Sequence, residues 1–301
     1  MLYSTSSGIK TWGYMFLTMV TRVNVPLFFM ISGALLFRKQ NEEIGTILKD
    51  RVLRFLVIIL FANTMVYLAH NGGWASVYGL VNGTLSGTIE GSYWYLYAYL
   101  GMLLMLPYLR KSVVNLSEKD FVYFFVLHFL FASVIPIINY FLQGAYNITI
   151  VLNGHIKLPY MLEKAFFFPI MGYYLDTVDL KRMKKKHSII LIGAMLLGIF
   201  ISCLFTYHEG IRVGFTQNFV QLFDYVSAIA FFILVKYIFN EKELFFKKNV
   251  SKQIVCTLGQ LTLGIYLFDP ILRKYLYSKV LRVLQGHIPI LVISLFGVLL
   301  V

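Results

Sequence analysis

Two arginines, Arg51 and Arg54, stand at the start of an apolar run with two residues between them. Residues at i and i+3 share one face of an α-helix, so the two guanidinium groups would lie side by side at the end of a membrane span. Arginine binds phosphate through paired, charge-assisted hydrogen bonds, which suits the diphosphate or 3′-phosphate of a coenzyme A donor. Arginines also collect at inner helix ends for reasons of topology and snorkelling, so the spacing leaves both roles open.

Arg22 and Asn24 place a guanidinium and an amide inside the first apolar run. An arginine at the centre of a bilayer costs about 2.5–3.5 kcal/mol on insertion scales unless it faces protein or water. Pro26 should kink the helix and release the backbone carbonyl of Arg22. The pattern indicates either a polar cavity at mid-membrane or a packing contact with a neighbouring helix.

Acidic and aromatic residues cluster where the third apolar run begins, with Glu90 shortly before Trp94 and Tyr95. Aromatics at this depth usually form an interfacial belt, but they also build stacking platforms for a sugar or an acyl chain. Asp269 precedes Pro270 at the end of the eighth run, where a carboxylate is commonly just solvated. The candidates to line a cavity or hold an acceptor are therefore Arg22, Asn24, Glu90, Trp94, Tyr95 and Asp269.

Of the six histidines, only His128 lies well inside an apolar run. Histidine is the usual general base near neutral pH, but a lone histidine among apolar residues is often a packed core residue, so the catalytic residue stays unknown. The chain has no Ser-His-Asp arrangement, Walker loop, dinucleotide-binding glycine pattern or HExxH motif. Because Cys203 and Cys256 both lie in apolar runs, we predict neither a disulfide framework nor a metal site. We also expect no bound cofactor.

The composition indicates an integral membrane protein. Hydrophobic residues make up 58% of the 301 residues and charged residues 14%, with a mean hydropathy of +0.72. A soluble globular domain carries about 25% charged residues, so soluble enzymes, disordered tails, fibrous proteins and soluble nucleic-acid binders are excluded. The net charge of +13 then indicates basic cytoplasmic loops, with the lipid bilayer and not a nucleic acid as the partner.

We predict an all-α, polytopic transmembrane bundle, with residues 1–301 forming a single membrane-embedded domain. Most of its apolar runs approach the roughly 20 residues that a helix needs to cross the hydrocarbon. Pro169 interrupts the fifth run, which could instead be re-entrant. The nine runs lie at about 12–37, 53–70, 93–109, 121–142, 162–175, 188–206, 217–239, 254–272 and 288–301.

Loop charge favours nine true crossings with the N-terminus outside. In that arrangement the inner loops hold more than twice as many Lys and Arg residues as the outer segments, whereas the excess vanishes if the fifth run does not cross. The basic segment 273–287 is the exception among the outer segments and reads as an interfacial amphipathic stretch. The protein is thus expected in a cell membrane as a multi-pass protein.

Five segments together resemble the acyltransferase-3 family of integral-membrane acyltransferases. Each is a common kind of apolar string, but their order and spacing match over nearly the whole chain. The segments are Val25–Gly33, Arg51-x-x-Arg54, Tyr93–Gly101 leading to Leu106–Arg110, Gly172–Leu175 and Leu263–Pro270.

The resemblance implies a membrane enzyme of about ten helices that moves an acyl group, often acetyl, from cytoplasmic acyl-CoA to a hydroxyl. The acceptor would be a surface carbohydrate or its lipid-linked precursor, and acyl-CoA would be a co-substrate rather than a bound cofactor. In the family the paired arginines belong to the donor-side site, which implies donor binding by Arg51 and Arg54. Trp94 matches an aromatic position of the family's third-helix signature.

This chain departs from the family pattern in three places. Ser92 and Asp269 stand where many members have histidine. Members also begin with a helix that carries an arginine and a histidine taken as the general base, and no such helix precedes Trp12. On this reading we expect a chain incomplete at both ends, with about nine of ten spans, that transfers little acyl group by itself.

Two other functions stay open on the sequence. A transporter or flippase of sugar or acyl lipids would use Arg22 and Asn24 to line its pathway. A non-catalytic remnant of the family would explain the unmatched base position. The favoured interpretation is a membrane O-acyltransferase of a bacterial cytoplasmic membrane.

Overall fold

The computed structural model describes residues 9–39, 42–70, 76–148, 150, 164–178, 185–213, 224–241 and 249–272. Every regular element within these ranges is a helix, which confirms the predicted all-α class. The helices are α1 Ile9–Arg22, α2 Asn24–Leu36, α3 Ile44–His70, α4 Val77–Ser86, α5 Trp94–Val114, α6 Glu118–Tyr146, α7 Lys164–Thr177, α8 Lys185–Val213, α9 Asp224–Glu241 and α10 Asn249–Leu272.

Four helical stretches in the described residues are long and apolar enough to cross a membrane. Two shorter apolar helices, Tyr225–Ile238 and Leu261–Leu272, fall within further predicted spans. The ninth run lies outside the described residues, so the count of nine crossings stays a prediction. The four stretches are Met15–Leu36, Ile44–His70, Glu118–Tyr146 and Lys186–His208.

The first apolar run differs in detail from its prediction, because it forms two consecutive helices. Helix α1 ends at Arg22 and α2 begins at Asn24, with Val23 between them. Pro26 occupies the first turn of α2, where its missing N–H costs no helical hydrogen bond. The irregularity expected from Pro26 therefore falls just before this proline, beside Arg22.

The predicted outer segment 71–92 contains a helix that we did not predict, α4. Ser76 caps its N-terminus by accepting a hydrogen bond from the Gly79 amide. Gly87 ends it in the left-handed conformation, with φ 68°, a region that glycine adopts without steric cost. Ten residues of helix rise only about 15 Å, too short to cross the hydrocarbon.

Two helices contain a turn of the wider π type. One such turn, Ile47–Leu53, carries Arg51 near the start of α3. The other, Leu130–Val134, follows His128 within α6. π turns in otherwise regular helices occur frequently at functional sites, and both of these lie beside a residue that we singled out for its chemistry.

The chain divides into two compact units. The first comprises Met1–Asn41 and Met105–Lys242, and the second comprises Glu42–Leu104 and Glu243–Val301. The boundary falls within α5, which contributes its first half to the second unit and its last half to the first. The single membrane-embedded domain stays a prediction.

The tightest packing in the first unit is the crossing of α2 and α7. A Cβ atom on Gly33 would overlap the backbone of Pro169, and one on Gly172 would overlap the backbone of Met30. The two helices thus touch backbone to backbone, as membrane helices do where small residues face each other. Helix α7 is continuous through Pro169, so the interruption expected there is absent.

Candidate functional site

The two predicted donor-binding arginines occupy different surroundings in the second unit. Arg51 is held by the Glu42 carboxylate through bonds of 3.1 and 3.2 Å from Nε and 2.8 Å from Nη2. Arg54 is exposed, and its side chain has no hydrogen bond or ion pair with another described residue. Arg51 lies within the π turn Ile47–Leu53 and Arg54 follows it, so the pair does not sit on a regular α-helical turn as the i, i+3 spacing predicted.

Arg22 and Asn24 flank the junction of α1 and α2 in the first unit, and both side chains are half-buried. Neither has a hydrogen bond or ion pair with another residue in the part of the chain that the structure describes. The pairing partner that a pure packing role requires is thus not among these residues. The two alternatives for these residues, a polar cavity and a packing contact with a neighbouring helix, therefore both stay predictions.

The aromatic and acidic cluster joins the start of α5 to α10 in the second unit. Glu90 accepts hydrogen bonds from the Ser92 amide at 3.0 Å and from the Ser92 hydroxyl at 2.8 Å. Tyr93 Oη donates to the Leu267 carbonyl at 2.5 Å, and Tyr266 Oη donates to the Ser92 carbonyl. The serine that stands where many family members have histidine is thus part of a helix-to-helix junction.

Trp94 and Tyr95 take different roles in this cluster. Tyr95 lies edge-on to Tyr266 with ring centroids 6.0 Å apart. The Trp94 side chain is 48% exposed, which leaves much of its ring for a ligand or for lipid. Asp269 is half-buried near the end of α10 and takes part in an interaction there. The structure places Trp94 edge-on to Tyr95, with ring centroids 6.4 Å apart, and bonds Glu90 to Ser92, just before this pair.

His128 is a buried member of an aromatic cluster in the first unit. It stacks on Phe167 with ring centroids 3.7 Å apart and lies edge-on to Tyr225 at 5.2 Å. Tyr225 Oη shares a 2.9 Å hydrogen bond with Ser133, in the adjacent π turn. With only 6% of its surface exposed, His128 is packed as a core residue and presents little surface to a substrate hydroxyl.

Basic residues bind carbonyl and carboxylate groups at one end of the first unit. From the sequence they were predicted only to contribute to loop charge. Lys236 Nζ donates to the carbonyls at the end of α7, where a cation complements the helix dipole. These bonds run to Leu175, Asp176 and Val178 at 2.8, 2.6 and 2.8 Å.

Two arginines make further contacts at this end of the first unit. Arg38 forms an ion pair with Asp176, next to the end of α7. Arg110, only 3% exposed, donates from Nε to the Leu36 carbonyl at 2.9 Å, at the end of α2. All of these residues belong to loops or helix ends that the charge pattern predicts to be cytoplasmic.

A polar network in the second unit was also missed by the sequence analysis. It joins Asn63 in α3, Thr84 in α4 and Tyr97 in α5. Its signal in the sequence was Asn63, an amide within an apolar span, since polar groups in spans usually face protein or a cavity. Among the described residues, no three His, Cys, Asp or Glu side chains lie close enough together to hold a metal ion.

Comparison with protein families gives one match: a model described as an acyltransferase domain covers residues 1–301. The chain belongs to the acyltransferase-3 family. Neither the curated proteins nor the solved structures contain a match. The family and the apolar helices together make this a multi-pass membrane protein of the acyltransferase class.

The structure pairs the segments that resemble this acyltransferase family. Val25–Gly33 crosses Gly172–Leu175 at the two glycines of α2 and α7. The start of Tyr93–Gly101 is bonded to Leu263–Pro270 through Tyr93 and Tyr266. Four family-like segments that lie far apart in the chain therefore meet in pairs, one pair in each unit.

Proposed function

We propose that this acyltransferase uses acyl-CoA on the cytoplasmic side and acylates a hydroxyl of a surface carbohydrate or of a lipid-linked glycan precursor. The observation that carries the proposal is the family match over residues 1–301. Acetyl is the acyl group most in keeping with the family resemblance. The membrane would be a bacterial cytoplasmic membrane.

The chemistry is an ester-forming exchange at the thioester carbonyl. The acceptor oxygen attacks this carbon, an ester C–O bond forms, the thioester C–S bond breaks, and coenzyme A leaves as the thiolate. The proton lost by the acceptor hydroxyl balances the proton gained by the thiol. A general base is required to take that proton, and we assign none, since His128 is packed among aromatic rings.

Arg51 and Arg54 support the donor half of the proposal. They start a membrane span on the predicted cytoplasmic side, and Arg54 is exposed with no partner among the described residues. Two guanidinium groups at this position suit the phosphates of coenzyme A. Trp94, half exposed, supports the acceptor half as a stacking surface for a sugar ring.

A transporter or flippase for sugar or acyl lipids is the second candidate. Arg22 and Asn24 favour it, because both are half-buried in the first span without a partner among the described residues. Such a protein would move a glycolipid without changing its acyl content.

Deleting the gene in its own host separates these functions. If the protein is an O-acyltransferase, one surface carbohydrate or lipid-linked glycan loses its ester-linked acyl group, and mass spectrometry and base-labile acyl analysis detect the loss. Reintroducing the gene restores the ester. Unchanged acyl content together with a glycolipid retained on the cytoplasmic side would instead identify a transporter and contradict our proposal.

A further inference from the structure

The Tyr97 hydroxyl joins two buried polar residues of the second unit. It accepts a hydrogen bond from Asn63 Nδ2 at 3.0 Å and donates one to the Thr84 carbonyl at 2.7 Å. Asn63 Nδ2 also donates to the Ile59 carbonyl at 2.9 Å. This second bond fixes the orientation of the amide, because a carbonyl can face only its NH₂ side.

Two polar atoms of this network have no hydrogen-bond partner. They are Asn63 Oδ1 and Thr84 Oγ1, in side chains only 1% and 5% exposed. Buried polar atoms are nearly always satisfied, so this pair indicates a group that is missing from the protein alone. The amide oxygen can only accept, whereas the threonine hydroxyl can donate or accept. A hydroxyl group, which can both donate and accept a hydrogen bond, complements either atom.

The residues around these two atoms favour an uncharged ligand that contains a ring with an apolar face. Asn63, Tyr97 and Thr84 are all uncharged, so nothing in the network favours a phosphate or an amine. Trp94 lies three residues before Tyr97 on α5, hence on the same face of that helix, and is 48% exposed. A hydroxyl site one helical turn from an exposed indole fits a sugar ring, which offers hydroxyl edges and an apolar face.

Helix α4 forms the wall of this site. Its inner face supplies Gly83 and Thr84, both buried, while its outer face exposes Val77 and Leu85. Asn82 and Ser86 are also exposed on the outer face. Helix α4 therefore covers Asn63 and Tyr97 with its buried face, through the bond from Tyr97 to the Thr84 carbonyl.

We infer that Asn63, Tyr97 and Thr84 form a hydroxyl-binding site for a neutral sugar ring. The assignment of this site to the acceptor rests on the proposed function. The assignment of the site to a sugar depends only on the contacts described above. Hydroxyl groups of the sugar bind Asn63 Oδ1 and Thr84 Oγ1, and Trp94 covers a ring face.

The test is a binding titration without any acyl donor. The protein in lipid nanodiscs is titrated with methyl glucosides, galactosides and mannosides, followed by saturation-transfer NMR. We expect at least one glycoside to bind, and T84V to weaken its binding about 3- to 10-fold through the lost hydrogen bond. T84S keeps the hydroxyl and should bind like the wild type. T64V removes the hydroxyl of a half-buried threonine, bonded only within the helix that carries Asn63, and should also leave binding unchanged.

A second pair of variants tests the site independently, in case T84V does not fold. Y97F removes the hydroxyl that links the network and should weaken glycoside binding, whereas Y78F alters an exposed tyrosine of α4 and should not. An octyl glucoside kept below its micellar concentration distinguishes the source of the sugar, because a lipid-held acceptor site prefers it to the methyl form. No glycoside binding by the wild type, or equal binding by T84V, Y97F and their controls, would overturn the site. Either result leaves the gene-deletion test of acyl transfer unaffected.

Discussion

Arg51 is less free to bind a ligand than Arg54, because its guanidinium already donates hydrogen bonds to the Glu42 carboxylate. A phosphate that binds Arg51 must share or displace this carboxylate, whereas exposed Arg54 needs no such exchange. Sharing is feasible, since a guanidinium has five N–H donors. Glu42 would then orient Arg51 toward the donor while Arg54 supplies most of the free positive charge.

Replacing both Arg51 and Arg54 with glutamine should weaken acyl-CoA binding by about 2–4 kcal/mol, given about 1.5–3 kcal/mol for a hydrogen bond to a charged group and some non-additivity. Two lysines should restore only part of the affinity, because they keep the charge and lose the fork. Calorimetric titration with a non-hydrolysable acyl-CoA thioether measures both effects. The matched control is K49Q, which removes an exposed charge just before the pair. Unchanged affinity in the folded double variant would leave these arginines with a topological role alone.

The sequence predicted which residues belong to the candidate site better than it predicted their hydrogen-bond partners. Arg51, Arg54 and Trp94 stood out because charged and aromatic residues are conspicuous at span ends. Asn63 was not predicted as a site residue, because its contact with Tyr97 joins residues 34 positions apart along the chain. Hydrogen-bond partners on other helices depend on tertiary packing, which no local pattern reports.

At the level of elements, the apolar runs predicted most helices, because a backbone in lipid must satisfy its own hydrogen bonds. The described parts of the first eight runs lie in helices, apart from Val23 and Phe37 at the ends of α2. Helix α4 was missed because Gly79, Asn82 and Gly83 are typical of loops, and it forms through Ser76 and Gly87 at its ends. The π turn Ile47–Leu53 has no pattern in the sequence that predicts it.

The crossing of α2 and α7 should be the element contact most sensitive to added volume. G33A or G172A places a methyl group where backbone atoms of Pro169 or Met30 already lie, so the helices must separate. We expect each variant to lower the free energy of unfolding by about 1–3 kcal/mol, the usual cost of overpacking. Thermal unfolding in detergent measures the loss.

The control for these variants is G193A, because a Cβ atom at Gly193 in α8 meets nothing within 4 Å. It should unfold like the wild type or be slightly more stable, since alanine favours helix more than glycine does. Wild-type stability of both G33A and G172A would show that α2 and α7 pack less closely than the structure places them.

At the scale of the whole molecule, orientation in the membrane follows from loop charge and agrees with contacts in the first unit. Asp176 bonds Arg38, and Lys236 caps the same end of α7. Loop charge predicts all three residues to be cytoplasmic, and the structure brings them to one end. Helices α2 and α7 therefore run in the same direction, as the fifth crossing requires.

Cysteine labelling checks this orientation in a variant that lacks Cys203 and Cys256. An impermeant maleimide should label N82C on α4 in intact cells, whereas K186C should react only after the cells are permeabilised. Both positions are exposed on the protein, so access depends on the side of the membrane. Labelling of K186C in intact cells would reverse the orientation or remove the fifth crossing.

The most direct test of the central claim, an acyl-CoA site that opens to the cytoplasm, uses sealed vesicles of the two orientations. Acyl-CoA does not cross the bilayer, so a photoreactive acyl-CoA reaches only the outward-facing side of each vesicle. We predict cross-linking in inside-out vesicles, strongly reduced by the R51Q/R54Q double variant, and none in right-side-out vesicles until detergent opens them. Equal cross-linking of intact right-side-out vesicles, or of the double variant, would contradict a cytoplasmic donor site built on Arg51 and Arg54.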